Sequence, residues 1–264
     1  MKILVISDIH VGLKTSKKDV FVKYFANRLS SYDEIILNGD IVQGNYPEVF
    51  SDGVDFFKLL SSYKGSIRYI LGNHDDDGGG KQLSFEDFKS KILNKLFTRP
   101  IVVHQNVYEK QIGNNKFVFC HGHTFGSGDT TFSVMAARVF SYTQKVLGSK
   151  FNFLFNAIDK AERCISNAKN KVLKGAEDYY NSSIYSSSSK TKHYIMVCGH
   201  SHELDSYTSN TFNYFNDGQW LRDTVTFIEI ELVDDFNLVI KLNKLNISNL
   251  NVKEQIFTYT LNME

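Results

Sequence analysis

Five short polar blocks constrain this chain more than any other feature: Asp8-Ile9-His10, Asn38-Gly39-Asp40, Gly72-Asn73-His74-Asp75, His121-Gly122-His123 and Gly199-His200-Ser201-His202. Each closes a short apolar or β-prone run: Ile3–Ile6, Glu34–Leu37, Ile67–Leu71, Lys116–Cys120 and Tyr194–Cys198. Runs of that length and texture read as buried strands. In open α/β sheets the functional loops lie beyond the carboxyl ends of strands. A fold is therefore required that gathers five such ends at one place.

The segments between the blocks say which fold. Asp19–Leu29, Val54–Leu60 and Phe85–Phe97 carry helical spacing, with Val20, Phe21, Tyr24, Phe25 and Leu29 on one face of the first. Strand and helix thus alternate over the first hundred residues, which predicts a largely parallel sheet with helices on its faces. After His123 the texture changes. Phe132, Met135, Val139, Tyr142 and Val146, then Phe151, Leu154, Ile158, Ala161, Ile165, Ala168 and Val172, describe two amphipathic helices in a hairpin. Asn181–Lys192, with four consecutive serines, reads as an exposed loop. The β-rich stretches Phe212–Phe215, Thr224–Val233 and Leu238–Leu245 predict an antiparallel meander packed back on the core.

Composition excludes some function classes. A net charge of +1 provides no global field for nucleic acid or acidic membranes. No apolar run approaches the ~18 residues of a membrane span. Cys120, Cys164 and Cys198 form no CxxC pair, so reduced thiols and a cytoplasmic setting are expected.

Any one block has an ordinary explanation, because an Asp at a strand end often caps the next helix. The conjunction does not: of 8 histidines, only His104 and His193 fall outside the blocks. Imidazole with carboxylate suits manganese, iron or zinc, and no cysteine is placed as a thiolate ligand of a structural zinc. Two metals about 3.5–4 Å apart need a bridging group, and Asp40 is the natural choice. The glycines before Asp40, Asn73 and His200 are expected to allow sharp turns without a Cβ clash. Asp76–Gly80, which prolongs the third block as DDGGG, lacks the spaced ligands of a calcium loop and the GK[ST] of a phosphate loop. It reads as a polar connection.

In this order the five blocks resemble the calcineurin-like metallophosphoesterase superfamily, over about residues 1–123 and 193–231. The resemblance implies an α/β class fold: a two-sheet α/β/β/α sandwich with an inserted helical cap, the core being 1–123 and 193–264 and the cap 124–192. It implies two divalent ions, manganese by preference, with Asp8, His10 and His202 on the first, Asn73, His121 and His200 on the second, and Asp40 bridging. His74 matches the family's catalytic histidine at the leaving oxygen, and Asp75 matches the acid that orients it. The implied reaction is in-line attack on phosphorus by a metal-bridging hydroxide. His123 is placed near the substrate phosphate.

The layout is most similar to the UDP-2,3-diacylglucosamine pyrophosphohydrolases, which also carry a cap between the fourth and fifth blocks. Tyr214–Trp220 resembles a late segment of that group, while His74, His123 and Gln43 depart from its usual pattern. Arg138 and the other basic residues of the cap suggest a lid over an anionic, small-molecule phosphodiester or nucleotide-linked substrate, and transient contact with the inner membrane surface. The competing readings are a cyclic-nucleotide phosphodiesterase, a nuclease, which the near-neutral charge disfavours, and a non-catalytic scaffold with the same fold.

Overall fold

The structure is a computed structural model that describes residues 1–44, 48–75, 84–125, 168–186, 193–234, 237–250 and 253–262. Its strands, in chain order, are β1 (Lys2–Ile6), β2 (Glu34–Asn38), β3 (Ser66–Ile70), β4 (Val102–His104), β5 (Val107–Ile112) and β6 (Asn115–Cys120). They continue with β7 (His193–Cys198), β8 (Leu204–Thr208), β9 (Phe212–Asp217), β10 (Thr224–Leu232), β11 (Asn237–Asn246) and β12 (Lys253–Asn262). The helices are α1 (Lys18–Phe25), α2 (Glu48–Asp52) and α3 (Val54–Ser62), then α4 and α5. Helix α4 runs through Phe85–Phe88, a π turn at Lys89–Leu93 and Asn94–Leu96; α5 is Ala168–Ser186.

Two sheets result. One has the order β12-β11-β10-β1-β2-β3-β4, the other β5-β6-β7-β9-β8. Strands β1 to β4 pair in parallel, as the alternation of strand and helix predicts. The meander β10-β11-β12 is antiparallel and joins the far side of β1 through β10. In the second sheet β6, β7 and β9 are parallel, with β5 and β8 as antiparallel edges.

Side-chain alternation builds the layers. In β1, Ile3 and Val5 enter the core between the sheets, while Leu4 and Ile6 pack under the helices α1, α3 and α4. In β6, Phe117 and Phe119 face the same inter-sheet core, and Val118 and Cys120 face outward to Val172 and Ala176 of α5. Both strands are buried on two faces, which is why they read as unbroken apolar runs. The result is helices, sheet, sheet, helix: the α/β/β/α sandwich that was expected.

Several local expectations are corrected. The first helix ends at Phe25, and Leu29 opens a separate 3₁₀ turn, Leu29–Ser31. Asn181–Ser186, read as the start of a loop, completes α5. Strands β4, β5, β8 and β12 and helix α2 were not anticipated. The first helix of the hairpin, residues 151–167 of the second, Arg138 and Asp76–Gly80 lie outside the described residues, as does Cys164. Cys120 and Cys198 are free, buried and adjacent across β6 and β7, their sulfurs 3.5 Å apart. Among the described residues no helix is long and apolar enough to cross a membrane.

Candidate metal centre

Parallel strands place their carboxyl ends on one side, and the two sheets meet there. His121 Nδ1 lies 3.0 Å from the Asn38 carbonyl, which links the end of β6 to the end of β2. The Asn38 amide donates to the Val197 carbonyl of β7 at 3.3 Å. Past β1 and β2 the backbone pairing continues, with Asp8 N donating to Gly39 O and His10 N to Asp40 O, both at 3.0 Å.

The loops then bend in an uncommon way. Asp8, His10, Asp40, His200 and His202 have φ of 53°, 49°, 53°, 67° and 57°. Among the described residues these are the non-glycine residues in the left-handed region, which costs roughly 1–3 kcal/mol per residue. Asp, Asn and His tolerate it best. Each bend turns a side chain back toward the shared space. The glycines act less uniformly than expected. Gly39 needs its freedom, with φ +91° and the His121 ring where a Cβ would stand. Gly72 and Gly199 are not left-handed; they leave room for the carboxylates of Asp40 and Asp8.

Two groups of ligand atoms assemble: Asp8, His10 and His202, and Asp40, His121 and His200, within 4.8 Å in each. Both carboxylates are handled alike. Asp8 Oδ2 accepts from the Ser7 hydroxyl and from His200 N (3.1 Å), leaving Oδ1 toward His202 Nε2 at 2.9 Å and His10 Nε2 at 3.8 Å. Asp40 Oδ1 accepts from His74 N at 2.8 Å, leaving Oδ2 between His121 Nε2 at 3.1 Å and His10 Nε2 at 3.7 Å. Asp40 therefore faces both groups with one oxygen.

The residues fit divalent metal. Asp8 Oδ1, His10 Nε2, His121 Nε2 and the amide oxygen of Asn73 are buried and make no hydrogen bond. Four such atoms at one site are expensive without a ligand. The remaining nitrogens of His10 and His121 have acceptors, Gln43 Oε1 at 2.9 Å and Asn38 O, so their Nε2 atoms are the ones presented. Burial would lower the pKa of His121, yet the Asp40 and Asp8 carboxylates push it up to about 10. Burial lowers His74 to about 4, and lowers His200 to about 3 with the help of the His121 charge.

The other expected site residues fall as follows. His74 packs edge-on against His10 with ring centroids 5.0 Å apart. His123 sits beside the second group, 5.6 Å from His121 and 6.3 Å from His200 by ring centroids, with a buried Nδ1 that makes no hydrogen bond. Asp75 does not orient His74 through its carboxylate. That carboxylate accepts from Asp40 N (2.8 Å), Gly72 N (2.7 Å), Val42 N (3.0 Å) and the Tyr69 hydroxyl (2.7 Å). It braces the loop after β2 against the loop after β3. Burial, with the nearby Asp40 charge, raises it to about 7. The contact to His74 Nδ1 comes instead from Gln43 Nε2, at 3.1 Å.

Sequence reading also missed Ser7 and Asp217. Asp217 Oδ1 is 2.5 Å from the same Ser7 hydroxyl that bonds Asp8. One hydroxyl proton cannot serve both acids, so Asp217 holds a proton; burial and the Asp8 charge push its pKa well above the usual carboxylate range. The signal was present in Tyr214–Trp220. That segment supports the site: Asn216 Nδ2 donates to Gly199 O at 2.6 Å and Trp220 N to Asp8 O at 3.0 Å.

The fold is a four-layer sandwich that carries two groups of possible metal-ligand atoms at its strand ends. The sequence model of the calcineurin-like phosphoesterase family matches residues 1–204, a span that includes all five blocks, and the chain belongs to that family. A search of curated proteins finds no match. Among solved structures the chain is similar to YfcE, a phosphoesterase from E. coli, at 14% identity and TM-score 0.50, covering 99% of this chain and 100% of that one. It is similar to a single-substitution variant of Vps29 from Entamoeba histolytica at 14% identity and TM-score 0.50, covering 99% of each. It also resembles GAP50, the anchor in the inner membrane complex of Plasmodium, at 13% identity and TM-score 0.52, covering 100% of this chain and 89% of that one. These likenesses concern the fold.

Proposed function

We propose that this protein is a dinuclear-metal-dependent hydrolase of a phosphodiester or pyrophosphate bond. The observation that carries the reading is Asp40 Oδ2, shared between His10 and His121 among buried ligand atoms that make no hydrogen bonds. Asp8, His10 and His202 would hold one ion, Asn73, His121 and His200 the other, with Asp40 bridging. Manganese is the proposed metal, iron and zinc the alternatives. When bound, such ions supply Lewis acidity toward phosphoryl oxygen and lower the pKa of water. His74 serves the leaving oxygen, and His123 contacts the phosphate from the side of the second group. Asp75 and Asp217 keep the loops and Asp8 in place.

A small nucleotide-linked or lipid-linked substrate suits a chain of net charge +1 better than a polynucleotide does. UDP-2,3-diacylglucosamine is the first candidate, from the layout of the blocks, and a cyclic nucleotide the second. The Plasmodium anchor makes a binding role the alternative of another class. Purified protein with Mn²⁺ is expected to hydrolyse bis-p-nitrophenyl phosphate. His74→Ala should lower kcat by about 10²–10⁴-fold while metal content holds. Full metal occupancy with no turnover on any phosphodiester would favour the scaffold, and an unchanged rate in His74→Ala would remove that residue from the chemistry.

A further inference from the structure

We propose that Gln43 couples the tautomer of His74 to that of the metal ligand His10, and so fixes the ring proton of His74 on Nε2. Gln43 is a positioning residue in this account, and its role in catalysis rests on the phosphoesterase reading.

His10 sets the first proton. Its Nε2 faces Asp8 Oδ1 and Asp40 Oδ2 and makes no hydrogen bond, so a metal there takes the Nε2 lone pair. A neutral imidazole has one N–H, which leaves it on Nδ1. That N–H meets Gln43 Oε1 at 2.9 Å. A carboxamide has an acceptor at one end and donors at the other. With its oxygen committed to His10, Gln43 presents NH₂ to His74 Nδ1 at 3.1 Å. Nδ1 of His74 must then be the acceptor, and the proton of the neutral ring sits on the opposite edge, at Nε2.

The coupling is stiff because Gln43 is 2% exposed. Flipping the amide would set NH₂ against the Nδ1–H of His10 and strand a buried donor, which proteins avoid. A carboxylate at position 43 behaves differently. It accepts from both rings, so it allows His74 to carry hydrogen on Nδ1. Only an amide transmits the constraint from one histidine to the other with its sign reversed. The consequence for the proposed reaction is that His74 meets an oxygen of the substrate through Nε2–H.

Long-range ¹H–¹⁵N correlation on the full chain with ¹⁵N-labelled histidine tests this, with His74→Ala used for assignment. The expected result is a His74 whose Nδ1 bears no hydrogen and whose Nε2 does. It should hold in Zn²⁺-loaded protein, where the metal takes the Nε2 lone pair of His10 and leaves its hydrogen on Nδ1. Gln43→Glu should place hydrogen on His74 Nδ1. Should that variant misfold, Gln43→Ala should replace the single tautomer by a mixture. A wild-type His74 with hydrogen on Nδ1, or an unchanged pattern in the folded variants, overturns the proposal. Absence of hydrolysis alongside the expected pattern overturns the phosphoesterase reading and leaves the tautomer coupling in place.

Discussion

The rim that carries the ligands and the C-terminal meander differ in backbone as well as in side chains. In β10-β11-β12 the antiparallel register runs almost unbroken, with one irregularity between Leu242 and Asn243. At the rim, five non-glycine residues are left-handed. The meander spends its side chains on packing: Ile228, Ile230, Leu238, Ile240 and Leu242 enter the inter-sheet core. The rim leaves buried ligand atoms without hydrogen bonds, whereas the buried Glu229 of the meander is paired with Lys2 and Lys253. Packing and ligand placement thus fall in different parts of the described structure, and the stiff sheets hold the strained ends in position.

Mutations can break this division. The largest effect is expected from Gly39→Ala. A left-handed residue and an overlap with the His121 ring together should cost roughly 2–5 kcal/mol of unfolding free energy and also displace a ligand. Chemical denaturation and metal titration should therefore both change. Leu242→Ala, in the meander, should cost about 2–5 kcal/mol by opening a cavity, and leave metal affinity unaltered in the folded protein. If Leu242→Ala weakens metal binding as much as Gly39→Ala does, the two regions are not separable.

A smaller effect concerns pH. With its pKa raised to about 10, His121 carries a proton in the metal-free protein at neutral pH. Metal must displace that proton, so affinity should rise with pH, by about tenfold per unit for each proton released. The sign for stability is opposite. The raised pKa favours the metal-free fold below the unfolded value of 6.5, and that contribution disappears as pH climbs through about 10. Calorimetric titration with Mn²⁺ in buffers of different ionisation enthalpy counts the protons. A pH-independent affinity between pH 6 and 8 would contradict the assigned role of His121.

The sequence carried the arrangement of strands that matter to the site, because buried parallel strands leave apolar runs and their polar ends stand out. Six of the seven proposed ligands, all but Asn73, stand at those ends and assemble into the two groups. Other features left weaker traces. Strands β5 and β8 lie at sheet edges, and segments such as Leu-Asp-Ser-Tyr-Thr have little alternation to detect. Strand β12 does alternate at Phe257, Tyr259 and Leu261, so its signal was available. Asn181–Ser186 continues a helix through polar residues because Val172 and Ala176 anchor α5 on the second sheet. The exchange of roles between Asp75 and Gln43 could not be read from spacing. Asp75 is next to His74 in sequence, but its carboxylate is turned into the loop amides, while Gln43 arrives from the loop after β2.

In the proposed function Asp40 joins two metal sites into one centre. Electron paramagnetic resonance of the protein titrated with Mn²⁺ tests it directly. Two ions per chain with an exchange-coupled spectrum are expected, with loss of the coupling in Asp40→Asn. Two uncoupled ions in the wild type, a single ion at saturation, or coupling that persists in Asp40→Asn would contradict it.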